Sequence, residues 1–215
     1  PIEKGDSAVS GWITIEAKAA GTKDGGTISI IMNGAHTVPG EVLEAIKGRD
    51  VSITFDMGDG ISWTVNGKSI TADNIDDIDF AVTKNSTAIP ADVINKVTGE
   101  RYSMNISLAY SGKFGFTATL SIDMGSKNEG MYANLFYYDP DTDQPEFMSS
   151  AEIGSDGIAR LEFTHASDYT IVIDKNPMGT VISDVKGDAA LSGNSTDDNG
   201  GKGNTGSTDR QTPNK

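Results

Sequence analysis

Hydrophobic and polar residues alternate along most of the first 185 residues, in short runs separated by Gly, Asn, Asp and Pro. A period of two places successive side chains on opposite faces of a strand, and the residues between the runs are typical of turns. Clear runs begin at 27–32 and continue to 169–174. The pattern predicts a mainly β protein, built as an antiparallel sandwich or as stacked sheets.

Residues 11–20 fit two patterns. Trp12, Ile15 and Ala19 lie at helical spacing, whereas Ile13 and Ile15 alternate as in a strand. The longer helical match favours a helix here.

An internal repeat accounts for two further helices. Residues 37–55 recur as 88–106, with Pro39 matched by Pro90 and Gly48 by Gly99. Proline is favoured at the start of a helix and glycine just after its end. Each copy therefore predicts a short helix followed by a β-hairpin, with the hairpin turns at 56–60 and 109–112.

These patterns divide the chain into four parts. An N-terminal segment covers 1–26, the first helix-plus-hairpin repeat 27–85, and the second repeat with a β-meander 86–185. The last part, 186–215, is rich in Gly, Ser, Thr, Asn and Asp, so burial cannot offset its ordering entropy. We expect a disordered linker that tethers the module to neighbouring modules of a larger chain.

Charge narrows the possible partners. The chain carries 17 Lys and Arg against 31 Asp and Glu, for a formal charge of −14. Nucleic acids and anionic membranes both require basic surfaces, so neither is an expected partner. The chain also has no cysteine, which excludes disulfides, thiolate metal sites and cysteine nucleophiles.

Two constellations were candidates for chemistry. Residues 165–168 contain His, Ser and Asp, but neighbours this close diverge, and local hydrogen bonding is the expected role. The acidic residues of 139–146 could wrap a calcium ion, but they lack the full ligand spacing and suit a solvated turn. We predict no catalytic residues, metal site or cofactor, and hence no enzyme.

Aromatic residues are the remaining candidates, because sugar rings stack on their flat faces. Trp63, Phe114, Phe116 and Tyr169 alternate with aliphatic residues and are expected in the core. In 131–138 both strand faces are apolar or aromatic. If Met131, Ala133, Leu135 and Tyr137 face the core, an exposed stripe remains for a ligand, made of Tyr132, Asn134, Phe136 and Tyr138. The alternative is that a second layer covers this stripe.

The C-terminal meander carries a resemblance. Asn-Leu-Phe-Tyr-Tyr-Asp-Pro at 134–140 and Phe-Thr-His-Ala-Ser-Asp-Tyr-Thr-Ile-Val-Ile at 163–173, with the repeated proline-led helix, resemble a module of exported multimodular proteins of anaerobic Firmicutes. Its relatives accompany dockerins, cohesins or wall anchors, including cellulosome-associated ones. The resemblance spans roughly 27–174 and carries no catalytic or binding residues over to this chain.

What the resemblance implies is a secreted or cell-surface location and contact with plant polysaccharide. We therefore expect a non-catalytic module that binds cellulose or hemicellulose and aids attachment. The alternative is a structural spacer or adhesin stalk without a ligand of its own.

Overall fold

The structure, a computed structural model, describes residues 6–179, with side chains from residue 11 onward. This part of the chain is mainly β, as the alternation predicted, with one large mixed sheet, one small sheet and three helices. The predicted linker, 186–215, lies outside the described residues.

The helices are α1 (Asp6–Gly21), α2 (Gly40–Glu44) and α3 (Ala91–Thr98). The strands are β1 (Thr27–Ile31), β2 (Thr37–Val38), β3 (Ser52–Gly58), β4 (Ile61–Asn66), β5 (Ile78–Asp79), β6 (Val82–Lys84), β7 (Ser103–Asp123), β8 (Tyr132–Asp139), β9 (Gln144–Glu152) and β10 (Ile158–Asp174). Short 3-10 turns occupy Gly67–Ser69 and Ser126–Asn128.

The large sheet has the strand order β1-β3-β4-β7-β10-β8-β9, and β6 also pairs with β7. All of these pairs are antiparallel except β1 with β3, so the sheet is mixed and not purely antiparallel. Strands β1 and β3 can be parallel because β2 and α2 lie between them in the chain and return it to the end of the sheet where β1 began. Strands β2 and β5 form the small sheet.

Two long strands, β7 and β10, run through both halves of the sheet. The first part of β7 pairs with β6 and the end of β10, and the last part pairs with β4 and the start of β10. The β7 and β10 registers shift between Phe163 and His165 and again between Ala166 and Asp168. The two halves share one core, in which Trp63 stacks on Phe80 with ring centroids 5.3 Å apart. The result is a sandwich-like fold.

The two copies of the repeat both form the helix, but only the first copy forms the hairpin. Helices α2 and α3 both begin after a proline, Pro39 and Pro90, and the β3-β4 hairpin forms as predicted. The prediction of a second hairpin at 109–112 is wrong, because these residues lie inside the continuous strand β7. Strand β6 pairs with β7 before these residues, at 106–108, and β4 pairs with it after them, at 118–122, while β10 pairs with Gly112 itself and with Lys113.

Helix α1 contains residues 11–20, where the pattern favoured a helix. Trp12 lies 6.5 Å from Phe55 between ring centroids, and Ala19 is fully buried. The guanidinium of Arg49 donates hydrogen bonds to the carbonyl oxygens of Ala19 and Ala20, at 3.2 and 3.1 Å. It thereby satisfies carbonyls that the end of a helix leaves unpaired, and fixes α1 beside the sheet.

Candidate functional site

The predicted stripe lies on β8. The face of β8 that the sequence assigned to the core does pack against the core. Ala133 and Leu135 belong to the main core, and Met131 and Tyr137 pack against it. The opposite face is not an exposed stripe, however. Asn134 and Phe136 are 0% and 1% exposed, while Tyr132 and Tyr138 are half-buried.

A second layer covers that face, the alternative that the sequence left open. Phe136 packs with Val97 of α3, Val172 and Met178 in a small second core, and its ring lies 5.6 Å from that of Phe147. An exposed platform requires Phe136 to face solvent, so the prediction of a four-residue stripe is wrong on this point.

Asn134 is a structural group of the second layer. Its Nδ2 donates to the carbonyl oxygens of Val172 (3.1 Å) and Tyr132 (3.3 Å). Its Oδ1 accepts from the backbone N–H of Met178 (2.8 Å) and from the Ser150 hydroxyl. With both amide hydrogens and two acceptor positions used, the side chain has no capacity left for a sugar.

The acidic residues of 139–146 lie at the β8-β9 turn, with Asp139 at the end of β8 and Glu146 within β9. Asp139 accepts hydrogen bonds from the Asp141 N–H and the Thr142 hydroxyl, and these hydrogen bonds lower its pKa. Asp143 accepts a hydrogen bond from the Tyr138 hydroxyl at 3.0 Å, which raises the pKa of Tyr138. Across residues 11–179, no group of three or more acidic or histidine side chains is placed to hold a metal ion.

His165 and Asp168 have separate hydrogen-bond partners. His165 bonds with Tyr169, whereas Asp168 accepts a hydrogen bond from Ser107 on β7. The prediction of local hydrogen bonding therefore holds for His165, which bonds within its own strand, and is wrong for Asp168, which bonds across to β7. These side chains do not form a relay.

A cleft of about 220 Å³ opens where β10 bends between the two half-sheets. Its apolar lining comes from Leu135, Phe163 and Met148, and Met148 is 42% exposed. Its polar lining comes from Thr117, Ser149, Glu162, Thr164, His165 and Tyr169. Ligand pockets commonly measure roughly 300–1,000 Å³, so this cleft has room for about one small ring.

Hydrogen bonding fixes how His165 presents its ring. The Tyr169 hydroxyl donates to the His165 carbonyl oxygen at 2.9 Å, because a carbonyl can only accept. His165 Nε2, 3.1 Å from the same hydroxyl, is then the donor, which leaves Nδ1 as the acceptor of the neutral ring. Burial lowers the pKa of His165 below its ordinary 6.5 and Lys113 lowers it further, against the opposite effect of Glu146. Burial also raises the pKa of Tyr169.

Ser149 supplies the most informative atom of the cleft. Its Oγ is buried and has no hydrogen-bond partner among the described residues. A buried hydroxyl without a partner costs about 1–3 kcal/mol, so such groups are rare in folded proteins. Ser149 lines the cleft, but solvent does not reach its Oγ, so a ligand hydroxyl can restore the missing hydrogen bond only when a neighbouring side chain moves.

The outer face of β1, β3, β4 and β7 is a second polar surface. Ser29, Thr54, Thr64 and Thr119 lie in one row across the four strands. Thr54 and Thr64 bond to each other through their hydroxyls at 2.9 Å. No aromatic side chain accompanies this row, so it offers hydroxyls without a stacking surface.

Sequence reasoning did not identify Ser149, Glu162 or Met148 as site residues. They come together because β9 meets the bent part of β10, and no spacing along the chain encodes that meeting. The one local signal was at His165 and Ser167, where polar residues take the alternating positions that apolar residues hold before and after them in β10.

Comparison with protein-family models, with curated proteins and with solved structures found no match to this chain. Among the helices that the structure describes, none is both long enough and apolar enough to cross a membrane. Over residues 6–179, the fold defines a mainly β, sandwich-like protein, and the cleft at β10 is lined by both polar and apolar side chains.

Proposed function

We propose that this chain is a non-catalytic module that binds a neutral, polyhydroxylated ligand, namely a plant-cell-wall polysaccharide, in the cleft at the bend of β10. The observation that carries the proposal is the buried, unpartnered Oγ of Ser149 in the cleft lining. A sugar hydroxyl can both donate to and accept from such a group.

The electrostatics of the cleft favour a neutral ligand. Glu162 is the one carboxylate in its lining, His165 is held in its neutral form by its lowered pKa, and the lining includes no Lys or Arg. Both side chains accept hydrogen bonds from hydroxyls, and the Glu162 carboxylate repels anions. The exposed thioether of Met148 and the ring of Phe163 add an apolar surface of the kind that sugar-ring C–H groups contact.

The proposed setting is a secreted or cell-surface bacterial protein, where the linker 186–215 joins the module to its neighbours. This part of the proposal rests on the resemblance to exported multimodular proteins of anaerobic Firmicutes. Cellulose and hemicellulose are the ligands that this setting suggests, and attachment is the role.

Affinity electrophoresis and pull-down on cellulose, xylan and xyloglucan test the proposal. The wild-type chain should be retarded or retained by at least one of them. If every glycan fails, the alternative of a spacer or adhesin stalk without a ligand takes its place.

Three variants test the site. Ser149→Ala removes a buried unpaired hydroxyl, so it should raise the unfolding free energy by about 1 kcal/mol and yet weaken glycan binding. Glu162→Gln should also weaken binding, whereas Glu152→Gln, an exposed glutamate on β9 outside the cleft, is the matched control. Binding that survives both cleft substitutions would place the glycan elsewhere and leave the function itself standing.

A further inference from the structure

Strand β1 leaves one complete backbone edge without a partner in the described structure. The N–H of Ser52 donates to the Gly26 oxygen, and the N–H of Met32 donates to the Asp56 oxygen. In a parallel pair, every second residue of a strand forms backbone hydrogen bonds with its neighbour. Gly26 and Met32 bond to β3, so Ile28 and Ile30 between them also face β3. The N–H and C=O groups of Thr27, Ser29 and Ile31 therefore point away from β3, and none has a partner within residues 6–179.

The two ends of the sheet differ in how they are protected. At the other end, β9 carries Pro145, which lacks an N–H, charged Glu146, and a bulge at Met148. These features hinder pairing with another strand. Strand β1 has the sequence Thr-Ile-Ser-Ile-Ile, with no charge, proline or bulge, and its Ile31 is 58% exposed.

A groove of about 500 Å³ runs along this edge. One wall is β1 from Ile28 to Ile31, and the other is the face of α1 that carries Gly11, Thr14, Ile15 and Lys18. Since Arg49 and Trp12 hold α1 in place, the groove has two fixed walls. An extended segment bound there would pair with β1 through its backbone and contact α1 through its side chains.

We propose that residues 180–185 of a second copy of this chain occupy the groove as an added strand. Their sequence, Thr-Val-Ile-Ser-Asp-Val, is rich in β-branched residues, and its six residues match the five of β1. Asp184 complements Lys18, the one charged side chain in the groove lining.

The position of Gly179 explains why the segment comes from a second copy. A Cβ built on Gly179 would lie 3.0 Å from the Phe147 ring, so the last described residue before the proposed segment lies beside β9. Strands β9 and β1 are the two ends of the strand order, separated by six steps of about 4.8 Å, or roughly 29 Å measured along the sheet. A second β1 is a poorer occupant, because it would bring its own α1 to the same groove. Head-to-tail addition follows, which is an open-ended form of association.

Complementation between two full-length variants tests this arrangement, which is independent of the glycan proposal. Ile31→Lys places a charge on the exposed edge, and Ile182→Asp places one in the incoming segment. The matched controls are Ile13→Lys, at a residue that is 64% exposed on α1 outside the groove, and Leu191→Asp beyond the segment. Circular dichroism and thermal unfolding verify that all four variants fold as the wild type does.

The readout is mass by sedimentation velocity over a range of concentrations, in about 0.15 M salt to screen the charge of −14. Wild type and both controls should associate, and each edge or segment variant alone should remain monomeric. An equal mixture of Ile31→Lys and Ile182→Asp should form a dimer and nothing larger, because one intact edge meets one intact segment.

Three results would overturn the proposal. These are a wild type that stays monomeric at every concentration, a mixture that stays monomeric, and an Ile182→Asp variant that associates as the wild type does. The last result would identify pairing between two β1 edges instead.

Discussion

Asn134 illustrates how one residue type can suit two opposite roles. An amide beside aromatic residues is what a sugar-binding platform needs, and it is also what a buried strand junction needs. The structure places it in the junction, where it joins β8 to β10, to β9 through Ser150, and to the backbone of Met178. Burial decides between the roles, because all of its hydrogen-bonding groups are already used.

We predict that Asn134→Leu destabilises the fold by about 3 kcal/mol, since it leaves the Met178 N–H and the Ser150 hydroxyl without their buried acceptor. Urea unfolding monitored by fluorescence measures the change. Ser150→Ala, which removes only one of these partners, should cost about 1 kcal/mol. Equal losses in the two variants would contradict the role assigned to Asn134.

His165 makes the stability of the fold depend on pH. Burial lowers the pKa of His165 below 6.5, so the unfolded chain binds its proton more readily than the folded chain does. The stability contributed by the neutral ring is therefore present above pH 6.5 and is lost as the pH falls through the lowered pKa.

We predict that, between about pH 7.5 and about pH 5, the wild type loses more unfolding free energy than His165→Gln, whose amide does not titrate in this range. Unfolding titrations across this range give the comparison. An NMR titration of the His165 ring should give a pKa below 6.5. Parallel pH profiles for the two proteins would argue against this assignment.

At the scale of elements, β7 shows how a predicted turn becomes part of a strand. Gly112 and Gly115 have φ values of +94° and +80°, a backbone region that favours glycine. The Gly115 carbonyl accepts hydrogen bonds from the N–H groups of Thr71 and Ala72, at 2.9 and 3.0 Å. Gly112, from the predicted turn, and Gly115, from the predicted strand after it, thus bend one long strand and admit a loop from the first repeat.

We predict that Gly112→Ala costs about 1–2 kcal/mol, because it strains only the backbone. A Cβ there meets nothing within 4 Å, whereas one on Gly115 would lie 2.5 Å from the Cβ of Ala72. Gly115→Ala should therefore cost clearly more than Gly112→Ala, measured as the difference in unfolding free energy. The reverse order would mean that the loop at Ala72 does not hold its position against β7.

At the scale of the whole molecule, charge restricts partners more than shape does. A formal charge of −14 surrounds a cleft that contains a carboxylate and no basic side chain. Polyanions are repelled by such a surface at low salt, whereas neutral glycans are unaffected by its field.

We predict that affinity for a neutral glycan changes less than twofold between about 0.05 M and about 0.5 M NaCl, because no ion pair forms on binding. Polygalacturonate, a polyanion, should not bind at the lower salt concentration. Isothermal titration calorimetry at the two concentrations tests both statements. A steep decline with salt would indicate that charged groups contribute to the contact.

The sequence by itself determined the class of fold and much of the core. Period-two alternation identified the strands and placed Trp63, Phe116 and Tyr169 inside, because a strand has only two faces. The proline-led repeat located α2 and α3 for an equally local reason. Helices and strands can be predicted from the sequence when the residues that cause them are near neighbours in the chain.

Only the tertiary structure decided what covers each face. Phe136 alternates as an exposed residue would, but α3 and Met178 lie over it, and these are 39 residues before it and 42 after it. Strand β7 continues through the predicted turn because β6, β10 and β4 pair with its successive parts, and the cleft exists because β9 meets the bend of β10. These outcomes depend on contacts between segments that are distant in the sequence. The alternation of a strand assigns residues to its two faces, but it does not say which segment packs on each face or pairs with each edge.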